Sequence, residues 1–399
     1  MHPSSLSSPL FVSTFPDSKS TTASRDGNDK DNSDINRDLA NVEFIASHEL
    51  LQSSHITDNE DDSVSKSVYP FATMLKGSAR FISQHVDEVA VMHLPRDLLD
   101  KKEEFATLMS DVALSWTLGM KLVLVVGNQL DAESEDCSLP GGFLHDDDHL
   151  TRKRVEDAGY VRFEVERTLN RFLRRKCGMS PSTDHAPILS SNVIGGNFYT
   201  AQPYGFLDMV DCQHTGYPTQ VNAERIQQVL NNNDLVLLTS VGASRLGESV
   251  SVNGNQLAAT VAAALQARKL IFMSSKGCVL RQRGASKTLQ EVSLGFVNRL
   301  LAYYRVAADG IGYMSSFEDE YGLSLEAQEL LMLLGWSSWA LEEGAYRAHI
   351  VNPGDGALLE ELFTSKNGAN TCVYRENEAS DLDLDEENNA ASFRRTHFA

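Results

Sequence analysis

The sequence predicts a three-layer α/β/α sandwich with a mainly parallel sheet and disordered ends. Short runs of β-branched and other apolar residues alternate with amphipathic helical stretches through the middle of the chain. The runs are apolar at successive positions, as in strands that helices cover on both faces of a parallel sheet. No apolar run reaches the roughly 20 residues of a membrane span, so an integral membrane protein is not expected.

The two ends of the chain differ in composition from its middle. Residues 1–68 are rich in Ser, Thr, Asp and Asn and predict a disordered or targeting segment, with a helical patch over Leu39–Leu51. Residues 376–399 predict an acidic disordered tail. Together these segments carry more than half of the formal net charge of −20. The folded domain is therefore expected in residues 69–375.

Periodicity predicts five strands and seven helices within that domain. The predicted strands are Val89–Met92, Lys121–Val126, Leu235–Thr239, Leu270–Met273 and Ala348–Val351. The predicted helices are Glu103–Leu118, Arg162–Arg175, Ala223–Asn231, Gln256–Ala267, Thr288–Tyr304, Leu325–Leu334 and Ala357–Phe363.

Charge and cysteine content argue against several functions. An acidic chain repels a phosphate backbone, so nucleic acid is not an expected partner. The five cysteines are scattered and never in CxxC spacing, which predicts an intracellular protein with neither a disulfide framework nor a structural zinc site. The N-terminal composition leaves plastid, mitochondrion and cytoplasm open. The run His145–His149 predicts a solvated acidic loop, and no metal site is expected.

Ligands of open parallel sheets bind where the strands end, so the loops after the strands are the first candidates. A nucleotide phosphate site there requires closely spaced glycines, because only a bare backbone wraps phosphates. The loop His93–Arg96 contains no glycine, and the loop after the next strand begins with a single one, Gly127. We therefore do not expect these loops to bind ATP.

Three later features are candidates for small-molecule binding. Gly196 allows close backbone approach, Asn197 both donates and accepts hydrogen bonds, and Ala201 leaves room for a ligand. Arg154 has the guanidinium geometry that suits a carboxylate. From the residues alone, a tight hairpin turn and a surface arginine remain the alternatives. Near the C-terminus, Glu361 could hold a cationic ligand, or its segment could simply be the last strand–helix unit.

Taken in order, segments between residues 81 and 371 resemble the amino-acid-kinase domain of N-acetylglutamate synthases, enzymes of arginine biosynthesis. The most specific are GNFYTAQPYG (196–205), VDCQHTG (210–216) and HIVNPGDGALLEELF (349–363). FISQH (81–85), WTLGMKLVLVVG (116–127), RVEDA (154–158), LGES (246–249), SSKG (274–277) and NGANT (367–371) also match.

The resemblance implies an α/β/α domain over residues 69–375 that binds L-arginine as an effector and forms a homo-oligomer. It implies that Arg154, Gly196, Asn197 and Ala201 form an amino-acid pocket for L-glutamate or N-acetylglutamate. It places His349, Asp355, Gly356, Glu361 and Gly368 in the arginine site. It assigns no catalytic residue to this chain.

Acetyl transfer in the family belongs to a second domain of the GNAT type, with acetyl-CoA as a substrate. Only 28 residues follow Thr371, so that domain is not seen in this chain and no cofactor is expected in it. Two alternatives remain open: a phosphotransferase resembling N-acetylglutamate kinase, and a non-catalytic arginine sensor. The kinase pattern Lys-Leu-Gly-Gly is replaced here by His93-Leu94-Pro95-Arg96, which argues against phosphoryl transfer.

Overall fold

The structure is a computed structural model that describes eleven stretches of the chain. They are residues 42–46, 70–127, 138–139, 143–144, 148–176, 193–207, 210–274, 276–282, 288–306, 322–363 and 370–375. All of them belong to the unit Asn41–Ala399, and the unit Met1–Ala40 lies outside the described residues.

Strands and helices are numbered in chain order within the described residues. The strands are β1 Val42–Ala46, β2 Val89–Leu94, β3 Lys121–Val126, β4 Ser138–Leu139, β5 Phe143–Leu144, β6 Val193–Gly195, β7 Tyr199–Pro203, β8 Phe206–Leu207, β9 Val210–Asp211, β10 Thr215–Val221, β11 Leu235–Thr239, β12 Val241–Ala243, β13 Ser249–Val252, β14 Lys269–Met273, β15 Cys278–Gln282, β16 Glu291–Ser293, β17 Arg347–Val351 and β18 Thr371–Tyr374. The helices are α1 Pro70–His85, α2 Lys102–Thr117, α3 Asp148–Lys176, α4 Ala223–Asn231, α5 Gly254–Ala264, α6 Leu294–Tyr303, α7 Leu325–Glu343 and α8 Ala357–Phe363.

Eight strands form the central sheet, in the order β16-β18-β17-β14-β2-β3-β11-β6. The six strands from β17 to β6 are parallel, whereas β18 pairs with β17 in the antiparallel direction and β16 runs parallel to β18. Strands β2 and β3 are almost fully buried, because helices cover both faces of the sheet. The mainly parallel sheet predicted from the sequence is confirmed.

Alternate residues of each central strand face two different helical layers. On one face, Met92 and Leu124 belong to a core that α2, α3 and α8 complete. On the other face, α5 packs against β2, β3 and β14, and α7 packs against α5 and β17. The arrangement is the predicted three-layer sandwich.

A small four-stranded barrel adjoins the sheet. It closes through the pairs β7–β10, β10–β13, β13–β12 and β12–β7. Strand β7 lies within GNFYTAQPYG, and β10 begins at the end of VDCQHTG. The turn at Gly196 and Asn197 joins β6, which pairs with β11 in the central sheet, to β7, which pairs with β10 and β12 in the barrel, so it is not a hairpin turn. The barrel places the turn before β7 close to the ends of β6 and β11.

Two predicted helices contain strands instead. The patch Leu39–Leu51 was expected to be helical, but Val42–Ala46 form β1, which pairs antiparallel with β15. The helix predicted from Thr288 begins only at Leu294, after β16. Both strands depend on distant partners, β15 and β18, and pairing of this kind leaves no mark in local periodicity.

Two other predicted helices are longer than their apolar periodicity indicated. Helix α3 begins at Asp148 rather than Arg162, and α7 continues past Leu334 to Glu343. Ser337 and Ser338 in the added part of α7 are buried, and the Ser337 hydroxyl donates to the Leu333 carbonyl at 2.7 Å. Tertiary packing thus extends the helix through residues that have low helical propensity.

Candidate functional site

The ends of β2 and β3 and the start of α5 meet around the imidazole of His93. This side chain is buried, and within the described part of the chain neither ring nitrogen has a hydrogen-bond partner. A Cβ atom would stand 3.2 Å from its Nε2 atom if placed on Gly127, and 2.7 Å if placed on Gly254. The ring therefore fills the gap between two bare stretches of backbone. Burial lowers the pKa of His93 to about 3, so the imidazole is neutral.

Carboxylates of the chain engage the donors in the two neighbouring loops. Arg96 pairs with Asp157 of α3 at 2.9 Å and with Asp100 at 3.0 Å. After β14, Glu329 accepts hydrogen bonds from the Ser274 hydroxyl at 2.6 Å and from the Lys276 amide at 3.0 Å. A phosphate bound at these loops would compete with those carboxylates for the same donors.

A cleft of about 260 Å³ lies near the ends of β6 and β11. Its lining residues are Arg162, Gly196, Asn197, Tyr199, Leu237, Thr239, Val241, Gly242 and Ala243. The Tyr199 hydroxyl donates a hydrogen bond to the Thr239 carbonyl at 2.8 Å. The Tyr199 ring packs closely on Gly242, where an added Cβ atom would stand 2.6 Å from the ring. A guanidinium beside exposed backbone and an amide side chain is chemically suited to a carboxylate ligand.

The structure brings together two of the four residues predicted for the amino-acid pocket. Gly196 and Asn197 line the cleft, whereas Ala201 is buried in β7. Arg154 is buried inside α3, which starts at Asp148, so it is not the surface arginine that the sequence left as an alternative. The roles of Arg154 and Ala201 in a pocket stay predictions.

Arg162 is a charged cleft residue that the sequence analysis did not single out. It lies eight residues after Arg154 on α3, about 12 Å further along the helix axis, and its side chain crosses Gly195. A salt bridge of 2.8 Å joins the Arg162 Nε atom to Glu166 Oε1. The contact between α3 and the end of β6 joins distant parts of the chain, so no local signal predicted it.

A second candidate site is a buried polar cluster between α8 and the strands β14, β17 and β18. The His349 Nδ1 atom lies 2.8 Å from Glu361 Oε1, and its Nε2 atom lies 3.1 Å from Lys269 Nζ. The side chains of His349 and Glu361 are 4 % and 2 % exposed. Asn370 donates from both its backbone N and its Nδ2 to Glu361 Oε2, each at 3.3 Å. Cys372 Sγ lies 3.9 Å from His349 Nε2.

The hydrogen bond between Lys269 Nζ and His349 Nε2 requires one nitrogen to donate and the other to accept. Either an ammonium donates to a neutral imidazole, or an imidazolium donates to a neutral amine. Burial lowers the pKa of Lys269 to about 8. Burial acts against the other shifts in the cluster, yet the mutual attraction of His349 with Cys372 and Glu361 raises the pKa of His349 and lowers those of Cys372 and Glu361. Glu361 is therefore a buried carboxylate in its ionised form.

The structure brings together His349 and Glu361 of the predicted arginine site. Asp355 is exposed, and Gly356 has a φ of +74° in the turn that precedes α8. Gly368 lies outside the described residues. The cluster also contains Lys269 and Cys372, which the sequence analysis did not name. Pairing of β17 with β14 and β18 brings them to His349, so their proximity follows from strand order.

The fold has counterparts among known proteins. The profile of the amino acid kinase family matches residues 91–294, more than half of the chain. The chain belongs to the amino acid kinase family. Curated relatives of this kinase-family chain include the amino-acid acetyltransferase of Ralstonia nicotianae, 29 % identical over 76 % of this chain, and that of Ectopseudomonas mendocina, 30 % identical over 77 %.

A solved structure resembles this member of the amino acid kinase family over most of its length. N-acetylglutamate synthase from Neisseria gonorrhoeae, complexed with coenzyme A and L-arginine, is 26 % identical and covers 77 % of this chain with a TM-score of 0.61. The same enzyme was also solved with coenzyme A and N-acetyl-glutamate. This kinase-family chain spans 62 % of the length of the Ralstonia relative and 66 % of the Neisseria chain with arginine.

The described residues contain neither a membrane-spanning helix nor a group of side chains suited to a metal ion. None of the helices there is long and apolar enough to cross a bilayer. No group of three or more His, Cys, Asp or Glu side chains in the same residues is arranged to hold a metal ion. His149, in the predicted acidic loop, belongs instead to the first turn of α3, and residues 145–147 are outside the described part.

Proposed function

We propose that this chain is the arginine-sensing part of an N-acetylglutamate synthase, which makes N-acetyl-L-glutamate from acetyl-CoA and L-glutamate. Two findings support the proposal: curated relatives named amino-acid acetyltransferase, and the likeness to a synthase complexed with L-arginine. The observation in this chain that carries it is the placement of Lys269 and the Glu361 carboxylate on the two sides of the buried His349 ring.

That charge arrangement is complementary to a free amino acid with a cationic side chain. The ionised Glu361 carboxylate suits a guanidinium, which donates two parallel hydrogen bonds to a carboxylate. Lys269 in its ammonium form suits the α-carboxylate of the same ligand. A simple cation would meet repulsion from Lys269, and a simple anion would meet repulsion from Glu361. L-arginine carries both charges.

The cleft beside Arg162 is the proposed place for the second ligand, L-glutamate or N-acetylglutamate. Its arginine side chain and its Gly196–Asn197 backbone suit carboxylates and an amide. Acetyl-CoA enters the proposal as the acetyl donor of the complete enzyme.

The proposal includes a homo-oligomer. Phe71, Met74 and Leu75 lie on one side of α1 at helical spacing and are 69 %, 62 % and 48 % exposed. Three large apolar side chains of this kind are suited to burial against a second copy. Light scattering of the wild-type chain and of Met74→Glu tests it: an oligomer that the substitution dissociates supports the interface, and a monomeric wild type overturns it.

Arginine sensing is tested by the thermal midpoint of the full chain with L-arginine, L-lysine or L-citrulline. We expect L-arginine at millimolar concentration to raise the midpoint, and L-citrulline, which lacks the positive charge, to leave it unchanged. Glu361→Gln should remove the arginine response. Glu360→Gln, an exposed glutamate one position earlier on α8, is the matched control and should keep it. No response of the wild-type chain to L-arginine would overturn the proposal.

The place of this chain in acetyl transfer is tested by coenzyme A release from acetyl-CoA and L-glutamate, with and without L-arginine. Release that depends on L-glutamate and changes with L-arginine supports a synthase. Arginine binding without release favours the non-catalytic sensor. Formation of ADP from ATP and N-acetylglutamate would instead favour the kinase.

A further inference from the structure

Both oxygens of the Glu361 carboxylate are engaged by the chain itself. His349 Nδ1 lies 2.8 Å from Oε1, and the two donors of Asn370 share Oε2 at 3.3 Å each. A carboxylate oxygen offers two lone-pair directions, so Asn370 saturates Oε2 while Oε1 keeps one direction free. A guanidinium that binds in the two-pronged geometry needs both oxygens.

Asn370 is held in this position from its other end as well. Its Oδ1 atom accepts a hydrogen bond from the Asn352 backbone N at 3.0 Å, just past the end of β17. The side chain is buried, with 6 % of the residue exposed. Its amide therefore links the end of β17 to Glu361 on α8, and the Nδ2 donor is directed at the carboxylate.

We propose that Asn370 sets the affinity of this site for arginine by competing with the ligand's guanidinium for Glu361 Oε2. The inference depends on the proposed arginine function. The Nδ2 bond is longer than the usual 2.9–3.0 Å for N–H···O and so is weak, which makes its displacement by a charged donor feasible. Arginine binding then costs one internal hydrogen bond, and the cluster is satisfied when the ligand is absent.

The test is the dissociation constant for L-arginine, measured by calorimetry on the full chain and on Asn370→Ala. The variant keeps the backbone donor and removes the Nδ2 competitor. We expect it to bind L-arginine severalfold more tightly, because the ligand no longer displaces an internal donor from Glu361 Oε2. A purely structural role for Asn370 would lower the thermal midpoint without tightening arginine binding.

A matched control is Asn298→Ala. Asn298 Nδ2 donates to Glu342 Oε1 at 2.9 Å, so its loss also removes an asparagine–glutamate hydrogen bond, but one between α6 and α7. We expect the arginine dissociation constant to stay at its wild-type value. Asn370→Ser, with a shorter side chain, is the second variant if Asn370→Ala does not fold, and it should also bind arginine more tightly.

The outcomes separate this inference from the proposed function. Tighter binding by the Asn370 variants alone supports the competition. Equal or weaker binding by those variants, with clear binding by the wild type, overturns the competition and leaves arginine sensing standing. Absence of binding in the wild type and in all variants overturns arginine sensing, and the competition with it.

Discussion

His93 and Gly254 fit against each other where β2 ends and α5 begins. A single methyl group on Gly254 would stand 2.7 Å from His93 Nε2, 3.0 Å from the Gly127 Cα and 3.2 Å from the Ser240 hydroxyl. No pair of carbon and nitrogen atoms packs that closely without a shift of one partner. The imidazole and the glycine thus determine how near the helix comes to the sheet.

Gly254→Ala should destabilise the fold by about 1–3 kcal/mol, because backbone lies on one side of the new methyl group and a buried ring on the other. Urea unfolding followed by circular dichroism measures the change. Gly159→Ala is the control, since a Cβ atom on Gly159 meets nothing within 4 Å. That control should be neutral or slightly stabilising, as expected for alanine in a helix. Equal effects of the two substitutions would contradict the close packing at Gly254.

Acid should weaken the fold through two buried imidazoles. Burial lowers the pKa of His93 to about 3 and that of His85 to about 4, from 6.5. Below pH 6.5 the two imidazoles bind protons in the unfolded chain but stay neutral in the folded chain. The free energy of unfolding therefore falls as the pH falls toward 4.

His93→Leu removes one of these two groups. The slope of the unfolding free energy between pH 6 and 4 should then decrease by about 1.4 kcal/mol per pH unit. Unfolding at pH 8, where both imidazoles are neutral in either state, measures the packing effect of the substitution separately. An unchanged slope would show that His93 takes up a proton in the folded chain.

Lys269 should make the free energy of unfolding depend on pH in the alkaline range. Its folded-state pKa is lowered by burial from 10.5 to about 8, so between these values the unfolded chain binds the extra proton. The free energy of unfolding should therefore rise with pH from 8 to 10 by about 1.4 kcal/mol per unit from this group. Lys269→Met should lack that rise, whereas Lys101→Met, at an exposed position, should keep it. Identical slopes in both variants would refute burial of the Lys269 ammonium.

Arg162 should contribute to binding in the cleft. Arg162→Gln keeps a hydrogen-bonding side chain and removes the charge, so the affinity for L-glutamate should fall about tenfold. Arg171→Gln, an exposed arginine on the same helix, is the control and should bind as the wild type does. Calorimetric titration measures both. If Arg154→Gln lowered the affinity for L-glutamate and Arg162→Gln did not, the ligand would bind in the pocket that the resemblance implies and not in this cleft.

Much of the candidate site could be predicted from the sequence because its segments are local and chemically distinctive. His349 and Glu361 lie in one strand–turn–helix unit, so a short stretch of sequence contains both partners. Lys269 belongs to another strand, and its contact with His349 spans 80 residues. The position of Arg162 in the cleft could not be predicted for the same reason, because its contact Gly195 lies on another element.

The sequence by itself determined the layers of this protein. Runs of buried residues such as Lys121–Val126 and amphipathic stretches such as Ala223–Asn231 specify strands and helices through local burial patterns, and these formed where they were expected. Only the tertiary structure decided that Val42–Ala46 would be a strand, that His93 would fill the gap between two glycines, and that Lys269, His349 and Glu361 would meet. The physical reason is that periodicity records which side of an element is buried, whereas its partner is selected by packing among distant segments.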